Sequence, residues 1–227
     1  MRRLRPRKRR SHPLRCMPHV ILLGDSIFDN AAYTAGGPDV VSQLRKLLPS
    51  GWTATLLAVD GHRTEDVNRQ LAAVPKGATH LVLSVGGNDA LSHGDLLNRP
   101  ARSAAEVLTL LAGAAGELED RYRRLVGRLL QTGLPLTICT VYNGNFPDPD
   151  FQRIASTALS SFNDAILRVG FERRLTIIDL RLVCDKPADY ANPIEPSSVG
   201  GAKIARAISA AVGATNMVMG SSRVIVA

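Results

Sequence analysis

With 227 residues, the chain is long enough for one sizeable hydrophobic core and short for two, so a single domain is expected. Hydrophobic residues make up 45% and charged residues 21%, and no apolar run approaches the roughly 18 residues that a bilayer span requires, which excludes a transmembrane helix. The formal net charge of +8 is supplied entirely by Arg2, Arg3, Arg5, Arg7, Lys8, Arg9, Arg10 and Arg15, so the remainder is neutral and a nucleic-acid partner is not expected.

Residues 1–16 are a basic arm, read as a disordered extension or as upstream sequence translated from a start earlier than Met17. It lacks the apolar stretch of a secretory signal, so a cytoplasmic protein is expected. Cys16, Cys139 and Cys184 are few, odd in number and far apart, which argues against a disulfide framework or a metal cluster.

The domain itself is placed at 17–212, with a tail at 213–227. Its first apolar, β-branched run covers 19–23 and ends in Gly24-Asp25-Ser26-Ile27-Phe28-Asp29-Asn30. Helical spacing over 40–48 leads to a second run, 53–59, which ends in Asp60-Gly61-His62-Arg63-Thr64. A helix over 64–73 precedes the third run, 80–85, followed by Gly86-Gly87-Asn88-Asp89. A long helical segment, 103–131, opens with Ser103 and Glu106 in the form of a capping box, and Gly113 with Gly116 predicts a break inside it. Runs at 134–141 and 175–180 enclose a helix at 151–171, and a last helix at 199–212 has Ser197 or Ser198 as its cap. In the tail, 223–226 is either an edge strand or loose.

Apolar runs alternating with helices build a parallel sheet covered on both faces. The expected fold is therefore α/β, three layers in α/β/α order around a five-stranded parallel sheet. Ligands of such sheets bind at the carboxyl ends of the strands, where the three polar loops converge.

On these three blocks, in register with the strands, the sequence resembles the Ser-Gly-Asn-His (SGNH, or GDSL) hydrolase superfamily across most of 19–212. The resemblance implies a flavodoxin-like strand order, hydrolysis of an ester or related acyl bond, and no cofactor. It assigns the nucleophile to Ser26 and the oxyanion hole to the backbone N–H of Ser26, the backbone N–H of Gly61 and the side-chain amide of Asn88. Acyl transfer needs those parts: a hydroxyl nucleophile, a base to take its proton, and donors for the tetrahedral oxyanion.

The superfamily's last block is Asp-x-x-His, just before the final helix. Here that stretch reads Tyr190-Ala191-Asn192-Pro193-Ile194-Glu195-Pro196-Ser197-Ser198-Val199-Gly200-Gly201, with Asn192 in the aspartate's place and Glu195 in the histidine's. The double change is chemically coherent, because the aspartate steadies an imidazolium, and that task vanishes when the base is a carboxylate. Glu195 is accordingly the candidate general base, with Asn192 donating a hydrogen bond to orient it. The alternative is a catalytically impaired module that keeps the pocket and binds an acyl or acetylated ligand. An unperturbed glutamate, at about 4.3 against about 6.5 for histidine, needs burial to serve as the base.

Among the five histidines, His12 lies in the arm and His19 and His80 open strands at the opposite edge. His62 and His93 lie on the catalytic edge, where either could reach Ser26 as an alternative base, with Asp89 placed to orient His93, but a substrate-contacting or solvated role is the reading preferred for both. Asp25 and Asp29 are read as fixing the nucleophile loop, and Asp179, on the same edge, either assists the site or has the more ordinary role of a helix cap or structural residue. Tyr142, Phe146 and Phe151 are either pocket lining or packing.

Overall fold

The computed structural model describes residues 17–214 and 222–226, so the basic arm falls outside the described residues. The elements follow in the order β1 (His19–Gly24), α1 (Val40–Leu47), β2 (Thr53–Leu56), α2 (Val67–Ala72), β3 (His80–Ser84), α3 (Gly87–Leu91), α4 (Ala104–Leu130), β4 (Leu136–Cys139), α5 (Pro149–Glu172), β5 (Thr176–Ile178), α6 (Leu180–Val183), α7 (Ser198–Ala214) and β6 (Arg223–Ile225). All strands pair in parallel, in the order β2-β1-β3-β4-β5-β6.

The sheet thus has six strands rather than five. The added one, β6, continues the expected order at the edge beside β5, and α7 runs to Ala214 before it.

Along β1, successive fully buried side chains feed opposite layers, as the twofold repeat of a strand requires. Val20 and Leu22 pack with α1 and α7, whereas Ile21 and Leu23 pack with α2, α4 and α5. This two-sided burial is why the run reads as continuously apolar.

The expected break in the third helix does not occur. α4 is continuous over 27 residues, capped by the Ser103 hydroxyl accepting from the Glu106 amide at 3.2 Å. Gly113 and Gly116 lie on its exposed face, while Ala114, Ala115, Leu118, Tyr122, Leu125 and Leu129 are buried. Two exposed glycines cost about 1 kcal/mol each, which burial of that stripe outweighs.

The order places β1 between β2 and β3, so the chain turns back on itself there and leaves a crevice at the carboxyl end. Gly24 closes β1 with a φ of +133°, and a Cβ on it would run into the Ser84 carbonyl of β3. On its other side β2 has already ended, and the buried Gln70 side chain of α2 takes its place. The Gln70 Oε1 accepts from the Gly24 amide at 2.8 Å and its Nε2 donates to the Gly24 carbonyl at 2.7 Å.

Gln70→Met keeps the volume of that side chain and leaves the Gly24 amide without its partner, while the Gly24 carbonyl keeps the Val59 amide at 3.1 Å. Loss of stability by about 1–3 kcal/mol is expected, read from the urea unfolding midpoint.

Candidate active site

Three loops meet at the crevice. The loop after β1 carries Ser26, which is buried, and is tightened by the Ile27 amide donating to the Asp25 carboxyl at 3.1 Å. Asp29 reaches the second loop, accepting from the Asp60 amide at 3.0 Å, and the Tyr33 hydroxyl donates to Asp60 at 2.6 Å. Both aspartates therefore brace the loop that carries Ser26.

Gly61 turns the second loop with a φ of +77°, a conformation that favours glycine. Two bonds clamp this loop to the third one. The Asn88 side-chain amide donates to the His62 carbonyl at 2.9 Å, and the buried Asp89 carboxylate accepts from both the amide and the hydroxyl of Thr64 at 2.9 Å. Arg121 of α4 lies 3.7 Å from Asp89. A primary amide carries two N–H groups, so Asn88 holds the clamp with one and keeps one for the crevice.

The fourth segment brings in Glu195. Its loop folds as a small hairpin, with the Ala191 amide donating to the Glu195 carbonyl at 2.9 Å. The Tyr142 hydroxyl donates to the Ile194 carbonyl at 2.7 Å, and Asn30 ties the Pro196 carbonyl, at 3.2 Å, to the amide of Val40, at 2.9 Å. Ser197 then caps α7 by accepting from the amides of Val199 and Gly200.

The Glu195 side chain is 8% exposed and its carboxyl is pushed up to about 7, chiefly by burial. The neighbouring Ser26 side chain opposes that rise and the charge on Asp60 adds to it. Among the described residues, the buried Oε2 has no hydrogen-bond partner. Asp25, buried deeper, is pushed up to about 8, again chiefly by burial, with smaller contributions from Glu195 and Asp89.

One expectation is corrected here. Asn192 does not donate to the Glu195 carboxylate. It is exposed, and its Oδ1 accepts from the amides of Ile194 and Glu195, each at 2.9 Å. The side chain closes an Asx turn, so it places Glu195 through the backbone.

The histidines are also placed. His62 is half-buried and held by Gln70, whose Nε2 lies 2.9 Å from its Nδ1, and it does not line the cavity beside Ser26. His93 lines that cavity, with its ring 6.1 Å from that of Phe162. Asp89, committed to Thr64, does not orient it. His19 and His80 sit at the opposite edge, against Thr55 and Trp52. Asp179 caps α6, accepts from Thr140 at 2.9 Å and pairs with Arg181.

Sequence reasoning missed Gln70 and Asn30, which look in sequence like a polar helix position and a loop residue. Only their double hydrogen bonds to distant backbone reveal them. Tyr142, Phe146 and Phe151 all line the cavity next to Ser26, and the last two meet edge to face at 4.9 Å.

No helix among the described residues is long and apolar enough to cross a membrane. Solved structures share the fold. An extracellular lipase from Streptomyces rimosus superposes with a TM-score of 0.62 at 15% identity, covering 86% of this chain and 99% of its own. A lipase from a goat rumen metagenome gives 0.65 at 18% identity, over 86% and 97% of the two chains. A carbohydrate acetylesterase from Sinorhizobium meliloti gives 0.60 at 13% identity, over 87% and 99%. No curated protein sequence matches the chain. The model of the GDSL-like lipase/acylhydrolase family matches residues 22–200, most of the chain, and the protein is accordingly a member of that family of acyl hydrolases.

Proposed function

We propose that the protein hydrolyses an ester or related acyl bond through an acyl-enzyme on Ser26, with Glu195 as general base. The observation that carries this reading is the buried Glu195 carboxyl beside the Ser26 hydroxyl, raised to about 7 and with one oxygen unpartnered. Burial brings this glutamate to the basicity of an ordinary histidine, which is about 6.5.

In the proposed reaction Glu195 accepts the Ser26 proton as Oγ attacks the carbonyl carbon. The backbone N–H groups of Ser26 and Gly61 and the free N–H of Asn88 hold the resulting oxyanion. Collapse expels the alcohol, which takes the proton from Glu195. Water then attacks the acyl-enzyme, gives a proton to Glu195, and the carboxylic acid leaves as Ser26 regains its hydrogen.

The test is hydrolysis of short-chain nitrophenyl esters. Ser26→Ala is expected to abolish turnover, Glu195→Gln to lower kcat by about a hundred- to ten-thousand-fold, and Asn88→Ala by about a hundred- to a thousand-fold. A base works only when ionised, so kcat/KM rises with pH through a midpoint near 7. Wild type no faster than Ser26→Ala rejects the enzyme reading and leaves the binding module, shown by an acylated ligand that is held without turnover.

Asn192 separates from Glu195 by substitution. Asn192→Asp keeps the acceptor of the turn and is expected to stay within about ten-fold of wild type, whereas Asn192→Ala loses the turn and falls further. Equal losses in the two variants would mean that the amide N–H₂ matters instead.

Burial of the two carboxyls also sets a pH dependence of stability. Both are raised, so the folded state binds their protons more tightly than the unfolded chain, and their contribution is greatest below about pH 4. It declines as pH rises through about 7 and about 8. Urea unfolding across that range is expected to show a flatter profile for Asp25→Asn than for wild type.

A further inference from the structure

β4 ends at Cys139, and the chain beyond it runs toward the Glu195 hairpin. Asn163 of α5, wholly buried, takes hold of that chain. Its Oδ1 accepts from the Val141 amide and its Nδ2 donates to the Val141 carbonyl, each at 2.8 Å. A buried amide in the middle of a helix is costly unless it is bonded, and Asn163 commits both its oxygen and its nitrogen to this one residue.

The residue that this clamp presents is Tyr142. Its ring is buried and meets Tyr190 edge to face at 5.1 Å, while its hydroxyl donates to the Ile194 carbonyl at 2.7 Å. Further along the same loop, the Asn145 amide donates to the Pro193 carbonyl at 2.8 Å. The chain after β4 therefore grips the two carbonyls that lead into Glu195. The neighbouring groups of the hairpin have other partners: Asn192 takes the amides of Ile194 and Glu195, Ala191 the Glu195 carbonyl, and Asn30 the Pro196 carbonyl. Among the described residues, the Ile194 carbonyl has Tyr142 alone.

A phenol has a single O–H, and Tyr142 commits it to backbone. Burial, and after it the charge on Glu195, keep that proton in place. None is left for the Glu195 carboxylate, whose Oε2 is without a partner among the described residues. The hydroxyl thus fixes the hairpin without solvating the acid it carries.

We propose that Tyr142 is a positioning residue for Glu195: its hydroxyl, aimed by the Asn163 clamp, pins the hairpin at Ile194 and keeps the Glu195 carboxyl closed off from water beside Ser26. Without the hydroxyl the Ile194 carbonyl must take its partner from water, and water that reaches it reaches the adjacent carboxyl too. The effect on rate rests on Glu195 being the general base; the effect on the carboxyl does not. The other titratable groups facing Glu195 are Asp25 and Tyr33 after β1, Asp60 after β2 and His93 in the cavity wall, and Tyr142→Phe alters none of them.

The experiment follows Glu195 directly, by NMR of protein labelled at the glutamate carboxyl carbon, with Glu195→Gln identifying the signal. In parallel, kcat and KM for nitrophenyl butyrate are recorded against pH. Wild type is expected to titrate near 7 in both. Tyr142→Phe is expected to lower both midpoints by at least about one pH unit, toward the ordinary value of about 4.3. Its kcat near neutral pH falls about ten-fold while KM changes by less than about two-fold, because the base and not the binding surface is disturbed. Tyr190→Phe is the control. It removes a hydroxyl that bonds the Cys184 carbonyl at 2.7 Å, and is expected to lower stability while both midpoints stay within about 0.3 pH unit of wild type. Asn163→Leu keeps the volume and removes the clamp, so it is expected to shift the midpoints in the same direction as Tyr142→Phe and replaces that variant if it does not fold.

A Glu195 midpoint that stays near 7 in Tyr142→Phe, or that falls as far in Tyr190→Phe, overturns the proposal. A wild-type carboxyl that already titrates near the ordinary value of about 4.3 does so too. If wild type turns over no ester but the NMR midpoint falls in Tyr142→Phe and not in Tyr190→Phe, the positioning role stands and the base reading fails.

Discussion

A carboxyl group held out of water must either keep its proton or find partners for its charge, and the catalytic edge is organised around that constraint at Glu195. Full hydration would leave its carboxyl near the ordinary value of about 4.3. Burial lifts it to about 7, and the Ser26 hydroxyl is the one neighbour that pulls it back. The gap between an unperturbed glutamate and an unperturbed histidine, about two units, corresponds to about 3 kcal/mol of proton affinity, and burial makes up that amount. Asp25, deeper in the same crevice, is lifted further, to about 8. At neutral pH it is therefore mostly protonated, and Glu195 faces one fewer negative charge.

The same constraint accounts for the loops. A carboxylate beside a hydroxyl is useful only if both are fixed, and each is fixed through backbone. Gln70 holds the end of β1, Asp89 and Asn88 tie the second loop to the third, and Asn30 ties the first loop to Pro196. At position 192 an aspartate would accept the same two amides that Asn192 accepts, so the turn does not depend on which of the two is present. What asparagine changes is charge. A further carboxylate three residues from Glu195 would raise that group again and favour its neutral form.

How much of this was legible in the sequence depended on whether a feature was local. Ser26, Gly61 and Asn88 each follow the carboxyl end of a strand of one parallel sheet, so their lying at one edge follows from the fold class alone. The sixth strand was not fixed in advance, because Arg223, Val224 and Ile225 are a three-residue edge with no full inward face to leave a pattern. Gly113 and Gly116 misled because propensity counts a glycine without knowing that its side of the helix faces water. Asn192 does not bond the Glu195 carboxylate as expected, because its bond partners depend on the turn, which sequence order does not specify. The apolar cavity was the least legible feature. Its walls come from the turn at Gly94–Asn98, from α4 and from α5, segments tens of residues apart whose apolar positions look like ordinary core.

Replacing a histidine base by a carboxylate also changes what an apolar crevice costs. With a neutral imidazole, proton transfer creates a charge pair, an oxyanion and an imidazolium, which is why an adjacent aspartate helps. With Glu195 the total charge stays the same throughout the proposed reaction, because the negative charge moves from the carboxylate to the oxyanion. The starting position is poorly solvated, since Oε2 has no hydrogen-bond partner among the described residues. The final position faces the three N–H donors of the proposed oxyanion hole. A low-dielectric cavity therefore opposes charge at the start of the transfer more than at its end, and the donors of Ser26, Gly61 and Asn88 take over a task that water would otherwise share. On this account the apolar walls and the glutamate belong together. A polar crevice would hydrate Glu195, return it to the ordinary carboxylate range and remove the basicity that the proposed attack of Ser26 requires.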